Sequence, residues 1–320
     1  MQPATEGRTP AELLAAARDG ERRAIARLLT LVERGGGAAD AIAGATHRLA
    51  GTAHVVGITG APGSGKSTLT SALTTLLVAG GRRPAVVAVD PSSPLTGGAI
   101  LGDRVRMEAA TVAGVFVRSM ATRGHGGGLA LAVPGAVRVL DACGFDPVVI
   151  ETVGVGQVEV DVVAAADTAV VVVTPGWGDA VQANKAGLLE VADLFVVNKA
   201  DRPGASDARR DLDLMLDLTE VSGACPKRRP VIVETTATKG EGVEDLLAAI
   251  DAHHAVLVGG TGLEVRRARR LAAEVRARLD HLLGEAAGQA LVEAGPVAGE
   301  TTVETARRLA GRILGTGDTG

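Results

Sequence analysis

Residues Gly60-Ala61-Pro62-Gly63-Ser64-Gly65-Lys66-Ser67-Thr68 spell G-x-x-x-x-G-K-[ST], and this segment restricts the fold more than any other in the chain. The pattern works only between a buried strand and a helix. Both are in place: Val55-Val56-Gly57-Ile58 reads as a strand and Leu69 to Val78 as a helix. Glycines let backbone N–H groups turn inward around phosphate oxygens, and the helix start adds a partial positive charge. Lys66 brings a point charge to the β- and γ-phosphates, and Ser67 offers a hydroxyl to Mg²⁺. A P-loop fold of the α/β class that binds a nucleoside triphosphate is the expectation.

A second apolar run, Leu194-Phe195-Val196-Val197, ends in Asn198-Lys199-Ala200-Asp201. A carboxylate just past a strand end can accept two hydrogen bonds, from guanine N1–H and N2–H₂. Adenine lacks those donors and would leave Asp201 unpaired, so the pattern favours guanine. Asn198 can tie this loop back to the P-loop, and the Lys199 stem can cover the base. Thr236-Ala237-Thr238 follows the run Val231-Ile232-Val233, where a backbone N–H could read guanine O6.

The metal side is read from a third run. Pro147-Val148-Val149-Ile150 leads into Glu151-Thr152-Val153-Gly154-Val155-Gly156-Gln157. A carboxylate at a strand end beside a P-loop holds Mg²⁺ or its water, which places Glu151 in that role. Gly154 is spaced to offer its N–H to the γ-phosphate, so this loop could respond to hydrolysis. Asp90, closing the run Ala85 to Val89, and Asp103 are further candidates near the metal.

Periodicity sets the frame around these motifs. Pro10 to Gly20, Glu21 to Arg34 and Ala38 to Ala50 read as helices, with Gly35-Gly36-Gly37 breaking the second from the third. Strands are expected near 55–59, 85–90, 115–118, 148–151, 169–174, 194–198 and 230–234, alternating with helical stretches. That alternation predicts a doubly wound, mostly parallel sheet. The expected division is a helical extension over 1–50, a nucleotide-binding domain over 51–257 and a helical arm over 258–320. In the arm, Leu263 to Leu283 reads as one helix with Leu271, Val275, Leu279 and Leu282 on one face, and Gly284 to Glu300 as loose chain. Thr301 to Leu314 reads as a last helix and 315–320 as a disordered tail. Arg266, Arg267, Arg269 and Arg270 read as a solvated rim around the apolar stripe.

Composition narrows the class. A net charge of −4 supplies no basic footprint for nucleic acid. No run approaches the ~20 apolar residues needed to span a bilayer, and Met1 to Gly20 lacks the apolar centre of a signal peptide. A cytoplasmic protein is expected. Cys143 and Cys225 are too far apart in sequence for a disulfide framework or a C-x-x-C metal site.

Two long loops complete the pattern: Asp90-Pro91-Ser92-Ser93-Pro94-Leu95-Thr96-Gly97-Gly98-Ala99-Ile100-Leu101-Gly102-Asp103-Arg104, and Arg118 to Gly128 around His125. With Glu151 to Gln157 and Asn198 to Asp201, they resemble the MeaB/ArgK family, the methylmalonyl-CoA mutase-associated GTPases, from about Ala11 to about Leu283. The resemblance implies a cytosolic GTPase that escorts adenosylcobalamin to an acyl-CoA mutase and protects or reactivates it; adenosylcobalamin belongs to that client enzyme. It places Lys66, Ser67, Asp90, Asp103 and Glu151 around Mg-GTP, with Asp201 on guanine. Pro175 to Lys185 resembles the family's additional switch loop, with Trp177 where a small residue is expected. Lys185, Arg104 and Arg123 are cations a partner could move toward the phosphates, and Lys185 joins Lys66 and Glu151 as a catalytic candidate. Members dimerise through C-terminal helices, so the apolar stripe is expected to meet a twin.

Two other classes compete. A nickel-insertion maturation GTPase needs Cys or His ligands near the switches, and here neither Cys nor His has ligand spacing. An ATP-dependent phosphotransferase or transport accessory protein would use adenine, against Asp201.

Overall fold

Seven valine-rich runs become the strands of a single sheet. The structure is a computed structural model and describes residues 7–91, 114–122, 126–152, 166–176, 191–221, 229–297 and 299–315. The strands are β1 (Val55–Gly60), β2 (Ala85–Pro91), β3 (Phe116–Thr122), β4 (Val148–Thr152), β5 (Thr168–Val173), β6 (Leu194–Asn198) and β7 (Val231–Thr235). They lie in the order β3-β2-β4-β1-β5-β6-β7, and each neighbouring pair is parallel. Valine's branched side chain suits a pleated surface. Helices cover both faces, so β1, β4, β5 and β6 are buried at every position and read as continuous apolar runs.

Alternation along each strand sorts the core into layers. On one face, Val55, Val87, Val148 and Ile150 pack with Leu13, Ile25, Leu28 and Leu140. Those four come from α1 (Pro10–Arg18), α2 (Arg22–Arg34) and α5 (Gly126–Ala142), and Ile42 of α3 (Gly36–Thr46) joins them. Farther along, Val171, Val173, Phe195 and Val197 meet Leu212 and Leu216 of α6 (Ala205–Val221). On the opposite face, Val56, Ile58, Val149 and Val172 meet Leu69, Leu73 and Leu77 of α4 (Lys66–Ala79). Leu246 and Ile250 of α7 (Val243–Val258) close that layer. Each fully buried Leu or Ile contributes about 1.5–3 kcal/mol relative to an exposed one.

The chain divides into two compact units, Met1–Arg270 and Leu271–Gly320. The boundary falls inside α8 (Gly262–Ala294), and α9 (Thr302–Leu314) follows. In the first unit, α1 opens on a capping box, Thr9 with Glu12, and Pro10 takes the position where no N–H is needed. The glycine break comes at Gly35, with φ 74 and ψ −161, and Gly36, at φ 71, already opens α3. In the second unit α8 is longer than expected. The stretch from Gly284, expected to be loose, stays helical to Ala294, because Glu285-Ala286-Ala287 and Gln289-Ala290-Leu291 offset the ~1 kcal/mol cost of each of Gly284 and Gly288. α9 opens on its own capping box, Thr301 with Glu304.

The arginines at the root of α8 overturn the solvated-rim expectation. Arg266 donates to both carboxylate oxygens of Asp193 and to the Asp167 carbonyl. Arg267 donates to the Gly51 and Ala53 carbonyls, and Arg270 lies 3.2 Å from the Asp167 carboxylate. Asp167 is buried, and its charge is tolerated because these partners surround it. Arg269 is exposed, as expected of a rim. Asp167 and Asp193 stand just before β5 and β6, at the sheet end opposite the P-loop.

A histidine network lies at the same end. His54 Nε2 is 2.8 Å from Thr168 Oγ1, which is 2.9 Å from His253 Nδ1. His253 Nε2 lies 3.3 Å from Asp193 Oδ1, and the His54 and His254 rings stack with centroids 3.9 Å apart.

Candidate functional site

The P-loop fills the turn from β1 to α4, at the point where the strand order reverses. Gly65 has a left-handed backbone, φ 91 and ψ 22, just before the first helical residue, Lys66. A Cβ there would lie 2.4 Å from Asn198 Nδ2, so strain and space both select glycine. Lys66 is buried, and its ammonium donates to the Gly60 carbonyl at 2.7 Å and the Ala61 carbonyl at 2.9 Å. The ammonium therefore stays inside the loop that carries it. Pro62, Gly63 and Ser64 complete the turn, and the Ser64 N–H closes on the Ala61 carbonyl at 3.1 Å.

Ser67 and Glu151 meet. The Ser67 hydroxyl donates to Glu151 Oε1 at 2.5 Å, although 84 positions separate them. The register explains it: Glu151 pairs with Ile58 across β1 and β4, which brings it beside the start of α4. Glu151 is 2 % exposed. The next residue, Thr152, donates its hydroxyl to Thr59 at 2.9 Å, linking β4 to the end of β1 just before the P-loop. Sequence reasoning passed over this threonine pair. Two hydroxyls at strand ends carry no motif, and only the register shows that they are neighbours.

Asn198 joins three segments. Its Nδ2 donates to the Ser64 carbonyl at 2.8 Å, while Oδ1 accepts from Thr235 Oγ1 at 3.1 Å and from the Ala237 N–H at 3.2 Å. The expected tie between this loop and the P-loop is thus present as a direct bond. Lys199, with φ 60, reaches the Gly63 carbonyl at 2.7 Å. Its stem therefore runs from the β6 loop to the P-loop. In the segment 236–238, the Ala237 N–H goes to Asn198 and the Thr236 N–H to the Glu241 carbonyl. Thr236 and Ala237 are buried and Thr238 is exposed. Asp201 pairs with Lys239 at 3.2 Å, a partner the sequence reading did not name.

Other expected residues lie outside this description. The backbone of Asp90 is the next-to-last position of β2, one step beyond Val89, which pairs with Thr152 of β4; its side chain is outside the described residues. Asp103, Gly154, Lys185, Arg104, Arg123, His125 and Trp177 also lie outside them, as do Cys225 and the tail 316–320.

The arrangement is a P-loop with a hydroxyl–carboxylate pair on one side and the amide-braced loop after β6 on the other. The family described as methylmalonyl Co-A mutase-associated GTPase MeaB matches residues 25–290. The chain belongs to the MeaB family. A Pyrococcus horikoshii protein named as a GTPase is 49% identical over 266 residues, covering 83% of this chain and 84% of that one. A fused isobutyryl-CoA mutase of Nocardia farcinica is 39% identical over 254 residues, covering 77% of this chain and 23% of the much longer mutase. The crystal structure of a LAO/AO transport system kinase superposes with a TM-score of 0.67 at 25% identity, covering 95% of this chain and 97% of that one. This MeaB-family chain is a GTPase with a P-loop fold, as its motifs imply. Among the described residues no single helix is long and apolar enough to cross a membrane.

Proposed function

We propose that this MeaB-family GTPase gates adenosylcobalamin loading of an acyl-CoA mutase in the cytoplasm, and protects or reactivates that enzyme. The observation that carries the reading is the match of 254 residues to part of a fused isobutyryl-CoA mutase. Fusion holds two domains at high effective concentration, which favours pairs that act on each other.

On this reading, Asp201 accepts from guanine N1–H and N2–H₂, and the P-loop amides from Gly60 to Thr68 hold the phosphates. Ser67 and Glu151 offer a hydroxyl and a carboxylate side by side, hard oxygen donors of the kind Mg²⁺ prefers. These two residues, with Asp90 and Asp103, would hold the ion, which neutralises charge shared by the β- and γ-phosphate oxygens. Lys66 exchanges its contacts to Gly60 and Ala61 for phosphate oxygens. Gly154, just past Glu151 in sequence, offers its N–H to the γ-phosphate, so hydrolysis is sensed there. The partner brings Lys185 toward the developing charge. The apolar face of Leu271, Val275, Leu279 and Leu282 is about half exposed at each position, and a twin subunit covers it to form a homodimer.

The test is cobalamin uptake. Adenosylcobalamin bound to purified isobutyryl-CoA or methylmalonyl-CoA mutase is followed by its absorbance, with this protein and either GTP or a non-hydrolysable analogue. Uptake that depends on GTP hydrolysis supports the reading; uptake indifferent to protein and nucleotide contradicts it. Lys185→Ala is expected to lower mutase-stimulated GTP turnover more than the turnover of the protein alone.

A further inference from the structure

Lys239 reaches from the loop after β7 to the carboxylate assigned to the base. Its ammonium lies 3.2 Å from Asp201 Oδ2. The backbone around it is tightly specified. The Thr236 N–H donates to the Glu241 carbonyl and the Lys239 N–H to the Thr236 carbonyl, which closes the turn. That turn is tied to the loop after β6 by the Ala200 N–H on the Thr235 carbonyl and the Ala237 N–H on Asn198 Oδ1. Lys239 and Asp201 therefore project from two loops whose relative position is fixed by hydrogen bonds. Beside Asp201 opens a cleft of about 240 Å³, which Glu234, Thr235, Thr236 and Glu241 also line.

Charge makes this pairing more than decoration. Three carboxylates border the cleft: Asp201, Glu234 and Glu241. Arg209 takes Glu234 at 3.2 Å, and Lys239 takes Asp201. The bond to Asp201 and the nearby charges of Asp201 and Glu241 raise the pKa of Lys239. Without it, Asp201 loses the ion pair that helps hold the plane of its carboxylate, in a cleft that Glu234 and Glu241 also line. A two-point reader depends on that plane. Each carboxylate oxygen can accept more than one hydrogen bond, so Lys239 can hold Oδ2 and still leave the pair of acceptors that guanine requires.

We infer that Lys239 is a positioning residue for base recognition, holding the Asp201 carboxylate in the orientation that meets guanine N1–H and N2–H₂ together. The inference rests on the reading of Asp201 as the guanine acceptor. Its consequence is selective. When the carboxylate is free to turn, the two-point contact becomes a one-point contact, and the base carrying the second donor loses most. Hypoxanthine has N1–H and lacks the N2 amine, so its nucleotides lose little. A lysine that only attracts phosphate from a distance would affect all bases equally.

The experiment is calorimetric binding of GDP, IDP and XDP to the full chain, as wild type, Lys239→Ala, Lys239→Arg and Asp201→Asn. An exposed ion pair of this kind is expected to be worth about a three- to fivefold change in affinity. Lys239→Ala should weaken GDP by about that factor and IDP by less than about twofold, narrowing the GDP-to-IDP ratio, and Lys239→Arg should restore it. Equal losses for GDP and IDP, or an unchanged ratio, overturn the inference. Asp201→Asn should move preference toward XDP. If it does and the Lys239→Ala ratio is unchanged, this inference alone fails; if it does not, the assignment of Asp201 fails and takes the inference with it. Lys239 is about half exposed, so thermal melts within a few degrees of wild type are expected and keep the binding data interpretable.

Discussion

Asn198 is buried, and its amide serves the P-loop carbonyl of Ser64, the hydroxyl of Thr235 and the N–H of Ala237. Removing it strands polar groups that water cannot readily reach, each at about 1–3 kcal/mol. Asn198→Ala is therefore expected to lower unfolding free energy by at least about 2 kcal/mol and to weaken GDP and GTP together, read by urea denaturation and calorimetry. Glu151 makes the opposite prediction. Glu151→Gln keeps an oxygen for Ser67 but loses the charge, so turnover should fall about 100-fold with only a few degrees' change in melting temperature. Unchanged Mg²⁺-dependent turnover would remove Glu151 from the metal site. These two residues were legible because each ends an apolar run at a recognisable spacing. Lys239 and the Thr59–Thr152 pair were not, because a lone lysine in a loop and two strand-end threonines acquire meaning only through the register of β1, β4, β6 and β7.

At the scale of elements, the seven strands could be read from valine runs because a sheet covered on both faces has no alternation to obscure them. Helices were harder. α5 begins on Gly126-Gly127-Gly128 and contains Pro134, both signals against a helix, yet it runs to Ala142, and Leu140 and Val139 pack in the core from it. The root of α8 was misread because its partners, Asp193 and Asp167, lie 73 and 103 positions away. The histidine network beside that root sets a pH dependence. Burial, then the nearby charges of His254, Arg82, His253 and Arg267, pushes the pKa of His54 from 6.5 down to about 3. His54 stays neutral in the folded protein while the unfolded chain takes up a proton below 6.5, so its contribution lowers stability as pH falls from 6.5 toward 3. The slope approaches about 1.4 kcal/mol per pH unit well below the unfolded value. Urea midpoints at pH 7.5 and 5.5 should show the loss, and His54→Leu should flatten the slope. Asp193 acts in another window. Burial works to raise its pKa, but the hydrogen bonds from His253 and Arg266 outweigh that and hold it below 3.8, so its contribution is lost only as pH falls below about that value.

Across the molecule, the two units carry different kinds of information. The first holds the nucleotide machinery, and its logic is local: short motifs at strand ends, brought together by a parallel sheet whose order places β1 between β4 and β5. The second holds helices with little buried surface of their own, where α8 has no buried residue. Periodicity revealed that apolar face, but no property of one chain's sequence names what covers it. The central claim, that GTP hydrolysis here is coupled to an acyl-CoA mutase, concerns a partner and is tested by adding one. Linkage requires that a partner preferring one nucleotide state be biased in turn by that state. The most direct measurement is steady-state GTP hydrolysis by the full chain, alone and with adenosylcobalamin-dependent isobutyryl-CoA or methylmalonyl-CoA mutase. A rise of about tenfold or more with one mutase is predicted, well within the range a partner-supplied cation can provide. An unchanged rate with both mutases, together with no complex on gel filtration, would contradict the coupling and leave a GTPase whose partner lies elsewhere.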